Sequence, residues 1–277
     1  MTGRMRLAVG AAATTAGALA GAAYAGIIEP RRLRIRRLTL RLPRWPERLD
    51  GLRVAVIADL HAGGPHVDED RIEQIVGRVN RERPDLVVLL GDYVDPDVIL
   101  GGEVAPEDVA DRLADLRAPL GVFAVLGNHD WRTGGERVQR TLREWGIEVL
   151  ENDAASVQRD GEVLYIVGLA DLREREPDTD MPFALVPERA PLIVLSHDPD
   201  VFPRVPERAS LTLAGHTHGG QVNLPLIRRR LIPSRYVAGT VDEDGKRMFI
   251  SRGVGETHLP LRMAAPPEVA ILRLTPA

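Results

Sequence analysis

Cysteine is absent from the 277-residue sequence, which excludes disulfides, thiolate zinc fingers, iron–sulfur clusters and a cysteine nucleophile. Any bound metal must therefore be held by His, Asp, Glu or Asn side chains. Lysine occurs only once, as Lys246, which excludes most amine chemistry. The sequence also has no excess of basic over acidic residues, because its formal net charge is −4. This charge balance argues against a dedicated nucleic-acid-binding protein, and no nucleic-acid partner is expected.

Charge is also missing from one long segment near the N-terminus, since residues 7–28 contain no Asp, Glu, Lys or Arg. A helix of this length is just long enough to cross a bilayer, which predicts a membrane anchor within residues 1–29. Arg4 and Arg6 before the segment and the small residues around Ala25 are typical of a cleaved export signal. An Ala-rich tail without a membrane role is the third alternative. The first two predict a protein that is membrane-associated or exported to the cell envelope.

Arginine is abundant in residues 30–50, directly after the uncharged segment. The positive-inside rule would keep the remainder of the chain in the cytoplasm. However, residues 33–42 alternate between apolar side chains and arginine, which is typical of a strand with one solvent-exposed face. On this alternative the arginines belong to the fold, and the side of the membrane on which the domain lies is not determined. We assign residues 30–50 as a basic first strand and connector.

Residues 51–277 read as one α/β domain without an internal linker. Short apolar segments alternate with amphipathic helical segments as far as Trp145, and the remainder is rich in strands. Alternation of this kind predicts an α/β fold built on parallel strands.

Metal-capable residues directly follow five of the predicted buried strands. They are Asp59-Leu60-His61, Gly91-Asp92, Gly127-Asn128-His129-Asp130, Ser196-His197 and Gly215-His216-Thr217-His218. Sites in α/β sheets form at the carboxyl ends of strands, so these five groups are expected to converge. A lone Asp or His in such a place is usually a turn or surface residue. Burying so many of them together would be costly without a cation, and we therefore expect a metal site.

Ligand counting favours two divalent ions that share one carboxylate. Asp92 can bridge them, with Asp59, His61 and one of His216 and His218 on the first ion. Asn128, His197 and the other histidine then complete the second ion. Mixed imidazole and oxygen ligands suit Mn, Zn or Fe. Two such ions lower the pKa of a shared water, and the bridging hydroxide would attack a phosphate ester.

These motifs, in this order, resemble the calcineurin-like metallophosphoesterase superfamily. The resemblance implies a four-layer α/β/β/α sandwich of two mixed sheets, with the metal site at the strand carboxyl ends. It implies one ion on Asp59, His61, Asp92 and His218, and a second ion on Asp92, Asn128, His197 and His216. His129 resembles the family's catalytic histidine, which acts on the leaving oxygen or the transition state. As the residue after Asn128 on an extended loop, it is expected to point away from the ion of its neighbour.

The segment Gly91–Asp95 is similar to that of phosphoprotein phosphatases, in which the second aspartate pairs with the catalytic histidine. This similarity implies that role for Asp95, with Asp130 as the alternative partner of His129. The match ends there, because Pro96-Asp97 stands where those enzymes have Arg-Gly. Protein-phosphatase activity is therefore not expected. A metallo-β-lactamase-like enzyme is also disfavoured, since its His-X-His would follow an early strand.

A closer resemblance is to a bacterial branch that carries an N-terminal membrane or export segment. Its features are present as Ile28-Glu29-Pro30, the segment 215–221, the segment 251–255 and Pro267-Glu268. The resemblance implies a phosphodiesterase or a hydrolase similar to those of UDP-2,3-diacylglucosamine, with lipid-linked phosphate esters among the expected substrates. A non-catalytic metal-binding envelope protein with the same fold is the alternative function. Substrate-binding residues stay unassigned. Arg228–Arg230 could face lipid headgroups or a substrate phosphate, with a solvated loop as the alternative. Arg252, His258 and Arg262 follow the last metal motif and could reach the site.

Overall fold

Two six-stranded sheets pack face to face in the structure, a computed structural model that describes residues 14–224 and 233–277. The first sheet contains, in spatial order, β1 (Arg34–Leu42), β12 (Glu268–Pro276), β2 (Leu52–Ile57), β3 (Leu86–Leu89), β4 (Val122–Ala124) and β5 (Glu148–Val149). The second contains β10 (Gly239–Glu243), β11 (Lys246–Ile250), β9 (Leu211–Ala214), β8 (Leu192–Leu195), β7 (Glu162–Gly168) and β6 (Asp153–Arg159).

Both sheets mix parallel and antiparallel pairs. Strands β2 to β5 run parallel, whereas β12 is antiparallel to β2 and parallel to β1. In the second sheet β7, β8, β9 and β11 run parallel, and β6 and β10 are antiparallel edge strands. The predicted α/β class with two mixed sheets is confirmed. The basic segment that begins with Arg34 is part of the first sheet, since β1 pairs with β12 along its whole length.

Helices cover the outer faces of the two sheets. They are α1 (Glu69–Arg81), α2 (Pro106–Leu113), α3 (Asn128–Arg132), α4 (Gly135–Glu144) and α5 (Met181–Ala184), with a 3-10 helix over Pro199–Arg204. Helix α1 begins where the Asp68 carboxylate accepts a hydrogen bond from the Arg71 amide at 2.8 Å, which caps the helix. Its apolar residues recur at helical spacing and are buried: Ile72, Ile75, Val76 and Val79.

The largest apolar layers lie between the sheets and beneath α1, α2 and α4. Val54 and Val88 of the first sheet share the inter-sheet core with Ile193 and Leu213 of the second. The residues that alternate with these in the strands of the first sheet, Ala55 among them, face the helices instead. This burial of both faces explains why the central strands are continuous apolar segments. It also holds the carboxyl ends of β2, β3, β4, β8 and β9 in fixed positions.

The N-terminal segment packs against the loop that leads into β12. Residues 14–23 are helical and continue into a π-helical turn over Tyr24–Ile28. The buried Ala25 accepts a backbone hydrogen bond from Arg262 at 2.9 Å, and the Glu29 carboxylate accepts one from the Ala265 amide at 2.7 Å. Across the described residues, no helix has both the length and the apolar character needed to span a membrane. Residues 7–13 of the predicted anchor lie outside the described residues.

Candidate metal centre and substrate cavity

The loops after β2, β3, β4, β8 and β9 meet at one edge between the sheets. The Asp59 and His61 amides donate to the carbonyls of Gly91 and Asp92, at 3.0 and 2.9 Å. The Gly215 amide donates to the His197 carbonyl at 3.0 Å, which joins the ends of β8 and β9. These backbone bonds bring together the seven predicted ligands, which are Asp59, His61, Asp92, Asn128, His197, His216 and His218.

The first group of possible ligands is formed by Asp59, His61 and His218, whose ligand atoms lie within 4.8 Å of one another. His61 Nε2 is 3.4 Å from Asp92 Oδ2, and His218 Nε2 is 4.0 Å from Asp59 Oδ1. The set matches the residues that the family resemblance implies for one ion.

The second group is formed by Asp92, His197 and His216. His197 Nε2 lies 3.2 Å from Asp92 Oδ2, 3.2 Å from Asn128 Oδ1 and 3.0 Å from His216 Nδ1. Asp92 therefore adjoins both groups, as a bridging ligand must. The structure thus brings all seven predicted residues together around one centre.

Three of the four candidate ligand histidines, His61, His197 and His218, are oriented by a hydrogen bond at the ring nitrogen that faces away from the centre. His197 Nδ1 is 2.7 Å from the Leu90 carbonyl, and His218 Nδ1 is 3.0 Å from the Gly255 carbonyl. His61 Nδ1 is 2.8 Å from Asp95 Oδ2. Partners of this kind fix the tautomer, so that Nε2 presents its lone pair to the centre.

Buried atoms without a partner show that the donor set fits cations. Asp59 Oδ2 and His61 Nε2 are buried and have no hydrogen-bond partner among the described residues. Buried polar atoms are normally hydrogen-bonded, and an unpaired buried carboxylate oxygen is costly. Divalent ions would satisfy both atoms. Imidazole nitrogens and carboxylate oxygens together suit Mn, Zn or Fe.

Backbone strain is concentrated on the same residues. Asp59, His61, Asp92, His216 and His218 all have positive φ, between 46° and 68°. Left-handed backbone costs a non-glycine residue free energy and clusters at functional sites, where the surrounding structure enforces it. Gly253 allows the loop to come close to this centre, since a Cβ there would lie 2.6 Å from Asp59 Oδ2.

Burial and mutual charge set the protonation of these groups. Burial raises the pKa of Asp59 to about 6. Burial opposes ionisation of Asp92 too, but the charges of His197 and His61 outweigh it and hold the pKa of Asp92 well below its usual value. Burial, together with the charge of His197, lowers the pKa of His216 to about 3, so this imidazole is neutral at pH 7. A neutral imidazole is the form that binds a metal.

His129 lies beside the first group with its ring hydrogen-bonded to Asp95. His129 Nδ1 is 3.2 Å from Asp95 Oδ1, and its ring centroid is 4.9 Å from that of His61. Burial lowers the pKa of His129, but the hydrogen bond to Asp95 and the charge of Asp92 outweigh it and raise that pKa above its usual value. The Nε2 atom lies 3.5 Å from Thr257 Oγ1, and His129 lines the cavity described below.

The local backbone of His129 differs from the extended loop that we expected. Asn128 and His129 begin helix α3, and the Asp92 carboxylate accepts from the His129 amide at 2.9 Å. Successive helical residues also point in different directions, because a helix has 3.6 residues per turn, so the two side chains still separate.

The Asp130 carboxylate is hydrogen-bonded to backbone amides, and it is not the partner of His129. Its carboxylate accepts hydrogen bonds from the amides of Asp92, Tyr93 and Gly127, at 2.7, 2.8 and 2.8 Å. It thereby joins the loops after β3 and β4, and Asp95 is the carboxylate that contacts His129. A short Gly-Asn-His-Asp segment does not reveal this division of roles, because the amides that Asp130 binds belong mainly to another loop.

A cavity of about 480 Å³ opens over the centre. Asp92, Asn128, His129, His216 and His218 form its floor together with polar residues outside the predicted set. Those further polar residues are Arg132, Arg173, Thr217, Gln221, Ser234 and Thr257. His258, a candidate from the sequence, also lines the cavity, and the apolar lining includes Val222, Leu259 and Leu261. Arg132 and Arg173 were not predicted from the sequence, since neither lies in a motif. Arg173 does follow a buried strand, β7, and that position is a signal that could have identified it.

The other basic candidates have different positions. Arg262 is fully buried and donates through Nη1 to the Arg252 and Ala265 carbonyls, at 3.0 and 2.9 Å. It therefore supports the loop behind His218. Arg252 packs against Gly219, and Arg228–Arg230 lie outside the described residues.

Comparison with known proteins agrees with this geometry. A family model described as calcineurin-like phosphoesterase matches residues 52–222, which contain all seven candidate ligands and His129. The chain is 31% identical over 274 residues to the uncharacterized metallophosphoesterase YkuE of Bacillus subtilis, covering 96% of this chain and 93% of that protein.

Two further relatives carry names that state an activity. Phosphodiesterase YaeI of Escherichia coli is 34% identical over 229 residues, covering 80% of this chain and 82% of the relative. UDP-2,3-diacylglucosamine pyrophosphatase LpxG of Chlamydia trachomatis is 25% identical over 311 residues, covering 90% of this chain and 92% of the relative. The similarity to these relatives extends well beyond the metal motifs.

Proposed function

This chain belongs to the calcineurin-like phosphoesterase family and is a metal-dependent phosphoesterase, and from that premise we propose that it hydrolyses phosphodiesters or lipid-linked pyrophosphates with two divalent ions. The observation that carries the proposal is that Asp92 adjoins both ligand groups at a cavity that His129 also lines. A protein that only bound metal would not need a histidine held by a carboxylate at the floor of an open cavity.

The seven ligands divide between the two ions as the distances suggest. Asp59, His61, Asp92 and His218 would hold one, and Asp92, Asn128, His197 and His216 the other. When bound, two such ions supply an activated water and neutralise the oxygens of the phosphoryl group.

The chain's own residues contribute proton transfer and orientation. Water attacks phosphorus, the bond from phosphorus to the leaving oxygen breaks, and that oxygen needs a proton. His129 donates it from Nε2, because Nδ1 is bound to Asp95 Oδ1 at 3.2 Å. Asp95 also binds His61 Nδ1 at 2.8 Å, so one carboxylate positions both a metal ligand and the proton donor.

The lining of the cavity supports a substrate with an apolar substituent. Val222, Leu259 and Leu261 lie in the same lining as His129, and Leu259 is 50% exposed. Exposed apolar side chains beside a catalytic centre suit an ester whose alcohol carries hydrocarbon. The activity named for LpxG, a UDP-2,3-diacylglucosamine pyrophosphatase, is consistent with this class of substrate. Association with a membrane through residues 1–29 is the corresponding proposal for localisation.

The proposal is tested with the full-length chain after reconstitution with Mn²⁺ or Zn²⁺. We expect close to two ions per chain by elemental analysis, and hydrolysis of bis(p-nitrophenyl) phosphate that a chelator abolishes. Asp92→Asn should abolish turnover, whereas Asp242→Asn, which changes a carboxylate that is 60% exposed on β10, should not. Two bound ions without hydrolysis of any monoester, diester or lipid-linked pyrophosphate would instead favour the non-catalytic metal-binding protein.

A further inference from the structure

Two arginines at the edge of the cavity are each fixed by a carboxylate through the same atom. Arg173 Nε donates to Asp198 Oδ2 at 2.8 Å, and Asp198 is only 1% exposed. Arg132 Nε donates to Glu174 Oε1 at 2.7 Å. Both arginines line the cavity, together with His129 and the metal-ligand candidates.

The carboxylate contacts leave the outer end of each guanidinium group available. Within residues 14–224 and 233–277, no hydrogen bond or ion pair involves the Nη atoms of Arg132 or Arg173. Their side chains are 50% and 43% exposed, respectively. A guanidinium held through Nε has already lost much of its rotational freedom, so less entropy is lost when Nη binds an anion.

The loop that carries Arg173 is itself rigid. The Asp171 carboxylate accepts from the amides of Arg173 and Glu174, at 2.9 and 2.8 Å, and Asp171 is fully buried. Because Glu174 follows Arg173 directly and binds Arg132, both arginines are held at one side of the cavity. Asp198 Oδ2 lies 3.7 Å from His216 Nε2, which places Arg173 next to the second metal group.

We propose that Arg132 and Arg173 bind a second phosphoryl group, adjacent to the one that is hydrolysed, and so select pyrophosphate diesters over simple diesters. The inference rests on the proposed function. One phosphoryl group is neutralised at the metal centre, whereas a simple diester carries no further anion to pair with two fixed cations. A pyrophosphate diester has such an anion, on the phosphorus one oxygen away. Arginine forks suit phosphoryl oxygens, with which they form paired charge-assisted hydrogen bonds.

A polynucleotide would also offer a second phosphate, but the charge of the chain disfavours it. The whole chain carries a formal net charge of −4, and residues 31–277, which contain both sheets, carry −5. A surface of that sign repels a strand of phosphates, whose binding depends on many cationic contacts. A compact pyrophosphate needs only the two arginines.

The test compares two substrates with the same substituents, bis(p-nitrophenyl) phosphate and P1,P2-bis(p-nitrophenyl) diphosphate, with products separated by chromatography. For the Mn²⁺-loaded full-length chain, Arg173→Ala should lower kcat/KM for the diphosphate roughly ten- to a hundredfold, the size of a lost charge-assisted hydrogen bond. The same variant should lower kcat/KM for bis(p-nitrophenyl) phosphate far less than for the diphosphate, and Arg132→Ala should behave alike. Arg175→Ala is the matched control, since Arg175 belongs to the same loop but stacks on Trp131 at 4.4 Å and does not line the cavity.

A binding measurement separates this inference from the proposed function. Calorimetry with methylenediphosphonate and methylphosphonate should show that only the diphosphonate loses affinity in Arg173→Ala. Equal losses on both substrates, an equal effect in Arg175→Ala, or arginine-dependent cleavage of an oligonucleotide would overturn the inference. If the wild-type chain hydrolyses neither substrate but still binds diphosphonate through Arg173, the proposed function fails and the anion site stands.

Discussion

Replacing His129 with alanine should separate proton transfer from metal binding. His129 Nδ1 is hydrogen-bonded to Asp95 and the ring lines the cavity. His129 also forms a possible ligand group with His61 and Asp92, but the two groups that match the expected ions do not include it. We therefore expect His129→Ala to keep the metal content of the wild-type chain. Activity on an ester with an alkyl leaving group should fall by roughly 10²–10⁴-fold, the usual contribution of general acid catalysis.

The dependence on the leaving group makes this prediction specific. p-Nitrophenolate departs as a stable anion and needs little help from an acid, so its ester should lose least. The assay is kcat/KM for a series of aryl and alkyl methyl phosphates, with metal content measured on the same samples. A metal-depleted variant, or equal losses across the series, would refute the proton-donor role; equal losses would point to charge stabilisation of the transition state.

Asp95→Asn provides the comparison within the same contact. We expected Asp95 to orient His129 alone, but the structure also places its Oδ2 at 2.8 Å from His61 Nδ1. This variant should therefore lower both the activity on poor leaving groups and the affinity for one metal ion. His129→Ala should change only the first of these two quantities.

Three further outcomes follow from other contacts. Asp92→Ala should release at least one ion by elemental analysis, because Asp92 adjoins both ligand groups; full retention of both ions would contradict the bridging role. Burial raises the pKa of Glu151 to about 7 from an ordinary 4.5, so its contribution to stability is present below pH 4.5 and lost as pH rises through 7. Glu151→Gln should accordingly raise the free energy of unfolding by roughly 2–3 kcal/mol at pH 8 and hardly at pH 4, measured by urea denaturation. Lys246→Met should lower stability by roughly 2–4 kcal/mol without changing kcat, since Lys246 Nζ satisfies the carbonyls of Phe202, Pro203 and Val205 at 3.0, 3.2 and 3.0 Å.

Most of the sheet architecture was predictable, because the buried strands are short apolar segments. Strands β7 and β8, over Glu162–Gly168 and Leu192–Leu195, coincide with such segments. Strand β10 was missed, because Val241 is its only large apolar residue and its side chains alternate between exposed and half-buried. The Asp244-Gly245 pair after it is typical of a two-residue hairpin turn and could have revealed it.

The convergence of the seven candidate ligands was also predictable, since each follows a strand and the strands determine where these residues meet. The contacts around them were not. Asp95 reaches His61 across 34 residues of sequence, and Asp198 reaches Arg173 across 25. Such pairs depend on how separate loops pack, and no local spacing encodes them. The helical start of α3 was missed for the same reason, because the Asp92 carboxylate on another loop binds the His129 amide.

The attachment of the N-terminal segment has a consequence for maturation. Cleavage after Ala25, where an export signal would end, removes the carbonyl that accepts the Arg262 amide, while Glu29 and its bond to Ala265 remain. A shortened chain that begins at residue 30 loses both bonds. Arg262 lies next to Leu261 of the cavity lining and holds the loop behind His218. Removal of the N-terminal segment would therefore take away a support of one rim of the cavity, and we expect the full-length chain and a shortened chain to differ in activity.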